Sequence, residues 1–279
     1  MSKYRHQKSN LEVSRIERHF KDKNVLMNDQ IASGPNSMIF LGKQSSSGRI
    51  FCIKIILKKM LEQLGGCVIK RSLDYVKLQS CSYLTTVAEF ASIGPNYFTL
   101  VTDYYPNGSL AQLLQKINPL PQDWVKTIFQ SVLQGLSSIH SFKMAHRNLK
   151  LENILLDEQM RPVISDFSFT IVTENVANFE SVLATSLPYL APEVNSGIPY
   201  DPIPADIWSF GVCLFIALNN SLPFGNSGKW SQPVHYKLKP EVERVLTFEA
   251  KKCLDEALQF DVNKRSTAIQ LQNEAWFQK

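Results

Sequence analysis

The sequence predicts an α+β fold, strands first and helices after, and three observations carry that prediction. Runs rich in β-branched and apolar residues, Val25 to Ile31, Arg49 to Leu57 and Phe98 to Val101, all lie in the first part of the chain. From Pro121 onward the apolar residues recur at helical spacing instead. A length of 279 residues suggests two compact units rather than one.

Composition narrows the function classes. Hydrophobic residues at 44% and charged residues at 20% describe an ordinary globular chain. Thirty Lys and Arg against 25 Asp and Glu give +5, and no dense basic run interleaved with aromatics is present, so nucleic-acid binding is not expected. The five cysteines form no C-x-x-C pair and are odd in number, which argues against a disulfide framework or a zinc site. A reducing, intracellular location, cytoplasmic or nuclear, is expected. The longest apolar run, Ile207 to Leu218, is interrupted by Ser209 and falls short of the ~20 residues a bilayer crossing needs, so it reads as a buried helix and no membrane partner is expected. Met1 to His6 leads into polar residues rather than an apolar signal segment.

Taken in order, residues 1–24 are polar, basic and weakly patterned, and a flexible N-terminal extension is expected there. Val25 to Ile31 begins a strand that ends in the turn signal Ala32-Ser33-Gly34-Pro35-Asn36-Ser37, with Met38 and Ile39 after it. Gln44 to Gly48 is a second turn. Within the strand that follows, period two places Lys54 on one face with Cys52 and Ile56, and a lysine on an apolar face reads as a functional ammonium. Helix propensity returns from Val68 to Ser80. Phe98 to Val101 is a strand, and Thr102 to Gly108 connects it to the helical part, ending in the turn Pro106-Asn107-Gly108. Pro121 then starts a helix whose broad apolar face is drawn from Trp124, Ile128, Phe129, Val132, Leu133, Leu136 and Ile139. Ile207 to Leu218, Phe248 to Leu258 and Thr267 to Phe277 supply further helices.

Four short stretches carry the chemistry. His146-Arg147-Asn148-Leu149-Lys150-Leu151-Glu152-Asn153, Asp166-Phe167-Ser168, Ala191-Pro192-Glu193 and Asp206-Ile207-Trp208-Ser209-Phe210-Gly211 occur in that order. They resemble the H-R-D-x-K-x-x-N, D-F-G, A-P-E and D-x-W-S-x-G elements of protein kinases. The ending Asp261 to Thr267, followed by Glu274-Ala275-Trp276-Phe277, is similar to the close of Ser/Thr kinase domains of the calmodulin-dependent and SNF1-like group.

The resemblance covers residues 25–277 and implies a bilobal fold. A small N-lobe over 25–102 would hold an antiparallel sheet and one helix; 103–108 would be the hinge, and 109–277 a larger, mainly helical C-lobe. It also implies ATP and Mg²⁺ as cofactors and a protein as substrate or partner. Ile31, Gly34 and Ile39 fall on the glycine-rich loop, of which only the middle glycine is kept. Cys52, Lys54, Thr102, Asp103 and Tyr105 take nucleotide-facing positions, with Lys54 the phosphate-contacting lysine and Thr102 the gatekeeper. Asn153 and Asp166 match the metal ligands, and Lys150 the lysine near the γ-phosphate. Glu193 is expected to pair with Arg265, Asp206 to hold the catalytic-loop backbone, and Arg147 to be able to bind a phosphate. Thr170, Thr173, Ser181 and Thr185 are candidate acceptors on the segment after Asp166, and Ser186 stands near the P+1 threonine.

Beside the two missing loop glycines, three further positions depart from the pattern. Asn148 replaces the base Asp, and a neutral amide has no useful basicity near pH 7. Ser168 replaces the D-F-G glycine. By apolar spacing Ser72 stands where a helix Glu pairs with the strand lysine, with Glu62 and Asp74 as alternatives. Losing a general base costs about 10²- to 10⁴-fold in rate. The sequence therefore supports a nucleotide-binding domain with impaired transfer that acts through protein contact; a slow, active Ser/Thr kinase and a nucleotide-independent scaffold are the alternatives.

Overall fold

A computed structural model describes residues 14–34, 36–63, 74, 81–117, 119–173, 187–195, 199–225 and 235–278, the side chains of 61–63 and 195 apart. The chain divides into two compact units, residues 1–80 with 85–104, and residues 81–84 with 105–279.

The first unit is built on five antiparallel strands: β1 (Val25–Gly34), β2 (Ser37–Gln44), β3 (Ile50–Leu57), β4 (Val87–Ile93) and β5 (Tyr97–Asp103), in the order β1-β2-β3-β5-β4. Strand β3 alternates as its sequence predicts. Phe51, Ile53 and Ile55 point into a core cluster with Ile93 and Val101, and the other face carries Cys52, Lys54 and Ile56. A short helix, α2 (Lys58–Gln63), follows β3. The helix expected over 68–80 lies outside the described residues, residue 74 excepted.

Residues 14–22, inside the stretch expected to be a flexible extension, form a helix, α1. Its Ile16 and Phe20, one turn apart, are 1% exposed and join the Phe51, Ile53 and Ile55 cluster. The helix is fastened at its end as well: His19 Nε2 and Lys23 Nζ lie 3.0 and 2.6 Å from Glu89 Oε1 on β4. The folded unit therefore includes residues N-terminal to 25, because the sheet face needs an apolar cover and the Ile16–Phe20 pair supplies it.

The second unit is mainly helical. Helix α3 (Leu110–Lys116) starts at a capping box in which Ser109 and Gln112 bond each other's backbone amides. In α4 (Gln122–Ser141) the buried positions are Val125, Ile128, Phe129, Val132, Leu133, Gly135, Leu136 and Ile139. Trp124, expected on that face, is instead 51% exposed, since Val125 takes the inward position at the helical spacing from Phe129 and Ile128.

Helix α5 (Pro202–Asn219) opens with Asp201 capping the Ile203 amide and Pro202 in the first turn. It has the length and apolarity of a bilayer span, yet 72% of it is buried inside the fold, which marks a core helix. Gly211 lets α6 (Phe248–Ala257) press against it: a Cβ there would stand 2.8 Å from Leu258 Cδ2. Thr267 begins α7 (Ala268–Gln272) with a second capping box, and α8 (Ala275–Gln278) ends the described chain, so the C-terminal helical stretch is two short helices.

Candidate active site

The segment 146–153 lies between β6 (Met144–Ala145), which pairs with β9 (Ile171–Val172), and the hairpin β7 (Ile154–Leu156) to β8 (Pro162–Ile164). Its backbone hangs on one carboxylate. Asp206 of α5, 1% exposed, accepts the His146 amide on Oδ2 and the Arg147 amide on Oδ1, both at 2.7 Å. His140 Nε2 of α4 lies 3.0 Å from the same Oδ2. Arg147 adopts a left-handed backbone, φ 64°, which the charge-assisted bond to its amide helps hold.

His146 is fully enclosed. The Asn148 amide donates to its Nδ1 (3.3 Å), so Nε2 carries the proton and donates to the Ser165 carbonyl at 2.9 Å. Burial pushes its pKa down, outweighing the nearby Asp206, and the ring is a neutral structural group set edge-on to Phe167. The Ser165 amide and hydroxyl both donate to the Asn153 carbonyl, at 2.8 and 3.0 Å. Asn153 Nδ2 in turn donates to the Asn148 carbonyl at 2.7 Å, which sets Oδ1 as the acceptor end of that amide.

Asp166 follows directly, with φ 66° and ψ 63°. Asn148 Nδ2 donates to its Oδ2 at 3.0 Å, and Ser168 Oγ donates to its Oδ1 at 2.7 Å. Two of the departures from the family pattern thus meet on the carboxylate matched to the metal ligand. Sequence reasoning missed both contacts. Ser168 had a signal, because a serine two residues after an aspartate can bond back to it. Asn148 had none, because 18 residues separate it from Asp166.

Among the described residues no group of three or more His, Cys, Asp and Glu forms a metal cage. One amide oxygen and one carboxylate, Asn153 and Asp166, form the hard-oxygen pair that suits an Mg²⁺ completing its shell with phosphate and water. Asp166 accepts from Asn148 Nδ2 and Ser168 Oγ, and a carboxylate is the hard oxygen donor that role needs. Lys150 is half-buried, with an extended backbone at the start of the short helical turn Leu151–Asn153.

The nucleotide-facing positions lie in the first unit, Tyr105 excepted, which begins the long segment of the second. Across the sheet Lys54 stands in register between Ile39 and Leu100, and Cys52 between Leu41 and Thr102; both are half-buried on the face away from the core cluster. Ile31 is exposed, and the β1–β2 pairing is irregular between Met27 and Ala32 before closing at Gly34 opposite Ser37. A Cβ at Gly34 would meet only Ser37 Oγ, at 3.7 Å, and its φ is not positive, so the fold itself does not demand glycine there. Asp103 ends β5 and pairs with Arg49.

Other expectations divide. Glu193 and Arg265 form the expected pair, with NH1–Oε1 at 2.6 Å and NH2–Oε2 at 3.0 Å, and the guanidinium lies 5.2 Å from the Trp208 ring. Arg147, expected to be able to meet a phosphate, bonds the Tyr200 side chain and the Phe169 carbonyl. Thr170 is completely buried, with no hydrogen-bond partner for its hydroxyl among the described residues, so it is not an accessible acceptor. Thr173 donates to the Lys143 carbonyl. Pro35, Ser72, Ser181, Thr185 and Ser186 and the side chain of Glu62 lie outside the described residues; Asp74 is exposed.

Comparison with known proteins agrees with this layout. A family model described as the protein kinase domain matches residues 26–277. The chain is 30% identical over 256 residues to CBL-interacting protein kinase 26 of Oryza sativa subsp. japonica, covering 90% of this chain and 51% of the relative. It is 30% identical over 210 residues to the mitosis inducer protein kinase cdr1 of Schizosaccharomyces pombe, covering 75% and 34%. To CBL-interacting serine/threonine-protein kinase 13 of Arabidopsis thaliana it is 27% identical, covering 89% and 50%. The chain thus spans about half, or less, of the curated relatives it matches. Because the family's pattern runs through both the sheet unit and the helical unit, this chain belongs to the protein kinase family, among its Ser/Thr kinases.

Proposed function

We propose that the chain is an ATP-binding Ser/Thr kinase domain in which phosphoryl transfer is strongly slowed and contact with a partner protein is the main output. The observation that carries this reading is the direction of the Asn148 side chain: its Nδ2 donates to Asp166 Oδ2 at 3.0 Å, a contact that a base aspartate could not make. An amide oxygen can accept a hydrogen bond from a hydroxyl and orient the group, but an amide cannot take the proton.

The rest of the constellation supports binding. Asn153 and Asp166 would hold Mg²⁺, and Lys54 and Lys150 would meet the phosphates; Mg²⁺ and ATP, when bound, supply charge neutralisation and the phosphoryl group. This chain's own residues fix the loop through Asp206, keep His146 neutral and orient Asn153 by its amide.

Thermal shift with ATP and Mg²⁺ tests the binding, since a ligand at 100 times its Kd stabilises by about 2.7 kcal/mol. A folded protein that shows no shift refutes it. Transfer of labelled phosphate is expected about 10²- to 10⁴-fold below that of a domain with an intact base, and abolished by Lys54→Ala or Asp166→Ala. Transfer at an ordinary kinase rate of about 1–100 s⁻¹ would show that no impairment exists.

A further inference from the structure

The contacts on Asp166 connect two substitutions that look independent in the sequence. Residue 148 and residue 168 approach the carboxylate from separate loops, and each takes a different oxygen, at 3.0 and 2.7 Å. Both donors are buried, Asn148 at 6% and Ser168 at 1% exposure, so water competes weakly for these bonds. An aspartate at position 148 has no N–H to give, and a glycine at 168 has no hydroxyl. The pair of contacts exists only because both positions differ from the family's residues.

The carboxylate so held sits on a backbone that needs holding. Asp166 has φ 66° and ψ 63°, a left-handed conformation that a residue with a Cβ adopts at some cost. A carboxylate that ligates a metal performs best when outer hydrogen bonds fix its orientation, and loss of such partners costs about 10- to 100-fold in metal affinity. The two donors engage both oxygens, so together they set the plane of the carboxylate.

We infer that Asn148 and Ser168 are positioning residues for the metal ligand Asp166: together they fix its carboxylate for a divalent cation bound with the nucleotide. This rests on the reading of the site as an ATP–Mg²⁺ site. A general base and a flexible hinge residue have been exchanged for a cation site made rigid in advance, so capture of the nucleotide is retained while transfer is slowed.

The test is nucleotide affinity measured in two buffers, excess Mg²⁺ and EDTA, for the unmodified chain, Ser168→Ala, Ser168→Gly and Asn148→Ala. Thermal melting of each variant checks that it is folded, and Ser168→Gly restores the family's own residue. Each variant is expected to lose about 10- to 100-fold in affinity with Mg²⁺ and to match the unmodified chain within a few-fold in EDTA. Equal losses in both buffers would mean a merely structural role and would overturn the inference. So would variants that bind as the unmodified chain does in Mg²⁺. Failure of the unmodified chain to bind nucleotide in either buffer is a separate outcome: it removes the ATP reading, and this inference with it.

Discussion

Restoring aspartate at position 148 tests the site most severely, because the structure places a negative charge in its way. Asn148→Asp exchanges the N–H that reaches Asp166 Oδ2 at 3.0 Å for a second carboxylate oxygen. With 332/(εr) at ε of about 20 and that separation, two full charges would repel by about 5.5 kcal/mol if neither side chain moved. The new side chain can rotate away, so the lasting cost is the lost hydrogen bond to a charged acceptor, about 1.5–3 kcal/mol. At roughly 2–4 °C per kcal/mol for a domain of this size class, melting should fall by about 3–12 °C in EDTA. Mg²⁺ or Mn²⁺ should recover part of that loss, since a divalent cation between two carboxylates offsets their repulsion. The assay is a thermal melt in EDTA and in each cation, with labelled-phosphate transfer followed in parallel. Transfer should rise above that of the parent only where the cation is present. A variant that melts within about 1 °C of the parent in EDTA would refute the reasoning, because the amide contact would then contribute nothing.

Phe20→Ala should destabilise the first unit by about 3–5 kcal/mol, because that ring is 1% exposed in the core cluster; denaturant unfolding measures it, and a change under 1 kcal/mol would remove α1 from the core. Gly34→Ala should leave stability within about 0.5 kcal/mol, as the added Cβ meets only Ser37 Oγ, while weakening nucleotide binding measurably by titration. Stability should also fall as pH drops below 6.5: burial lowers the pKa of His146 in the fold, so below that value the unfolded chain takes up a proton that the folded chain refuses. The slope from this group approaches about 1.4 kcal/mol per pH unit until its lowered folded pKa is reached, and pH-dependent melts of the parent against His146→Gln should isolate it.

The parts legible in the sequence were those written in short-range pattern. Alternation in β3 put Lys54 opposite the core face, and the structure keeps that division. The pairing of Glu193 with Arg265 and the hold of Asp206 on the loop amides were implied by the motif resemblance and are present as bonds. Helix α1 was not legible because a single apolar pair, Ile16 and Phe20, sits among charged residues and gains meaning only from the sheet face it covers. Trp124 was placed inward by its four-residue spacing from Ile128, but the buried stripe is centred on Val125, Phe129 and Val132 and leaves Trp124 at its edge. The Asn148–Asp166 contact needed a spatial approach between two loops that no local rule describes.

The catalytic loop is suspended by its peptide groups, whose two amides are gripped from behind by Asp206. Its course is thus drawn by an anchor on the backbone amides of residues 146 and 147, and the side chain at 148 can be exchanged without redrawing the path. Such a scaffold tolerates a change of chemistry at its tip as a lathe tolerates a change of tool, which is how a kinase framework can stay intact around an amide where a base is customary.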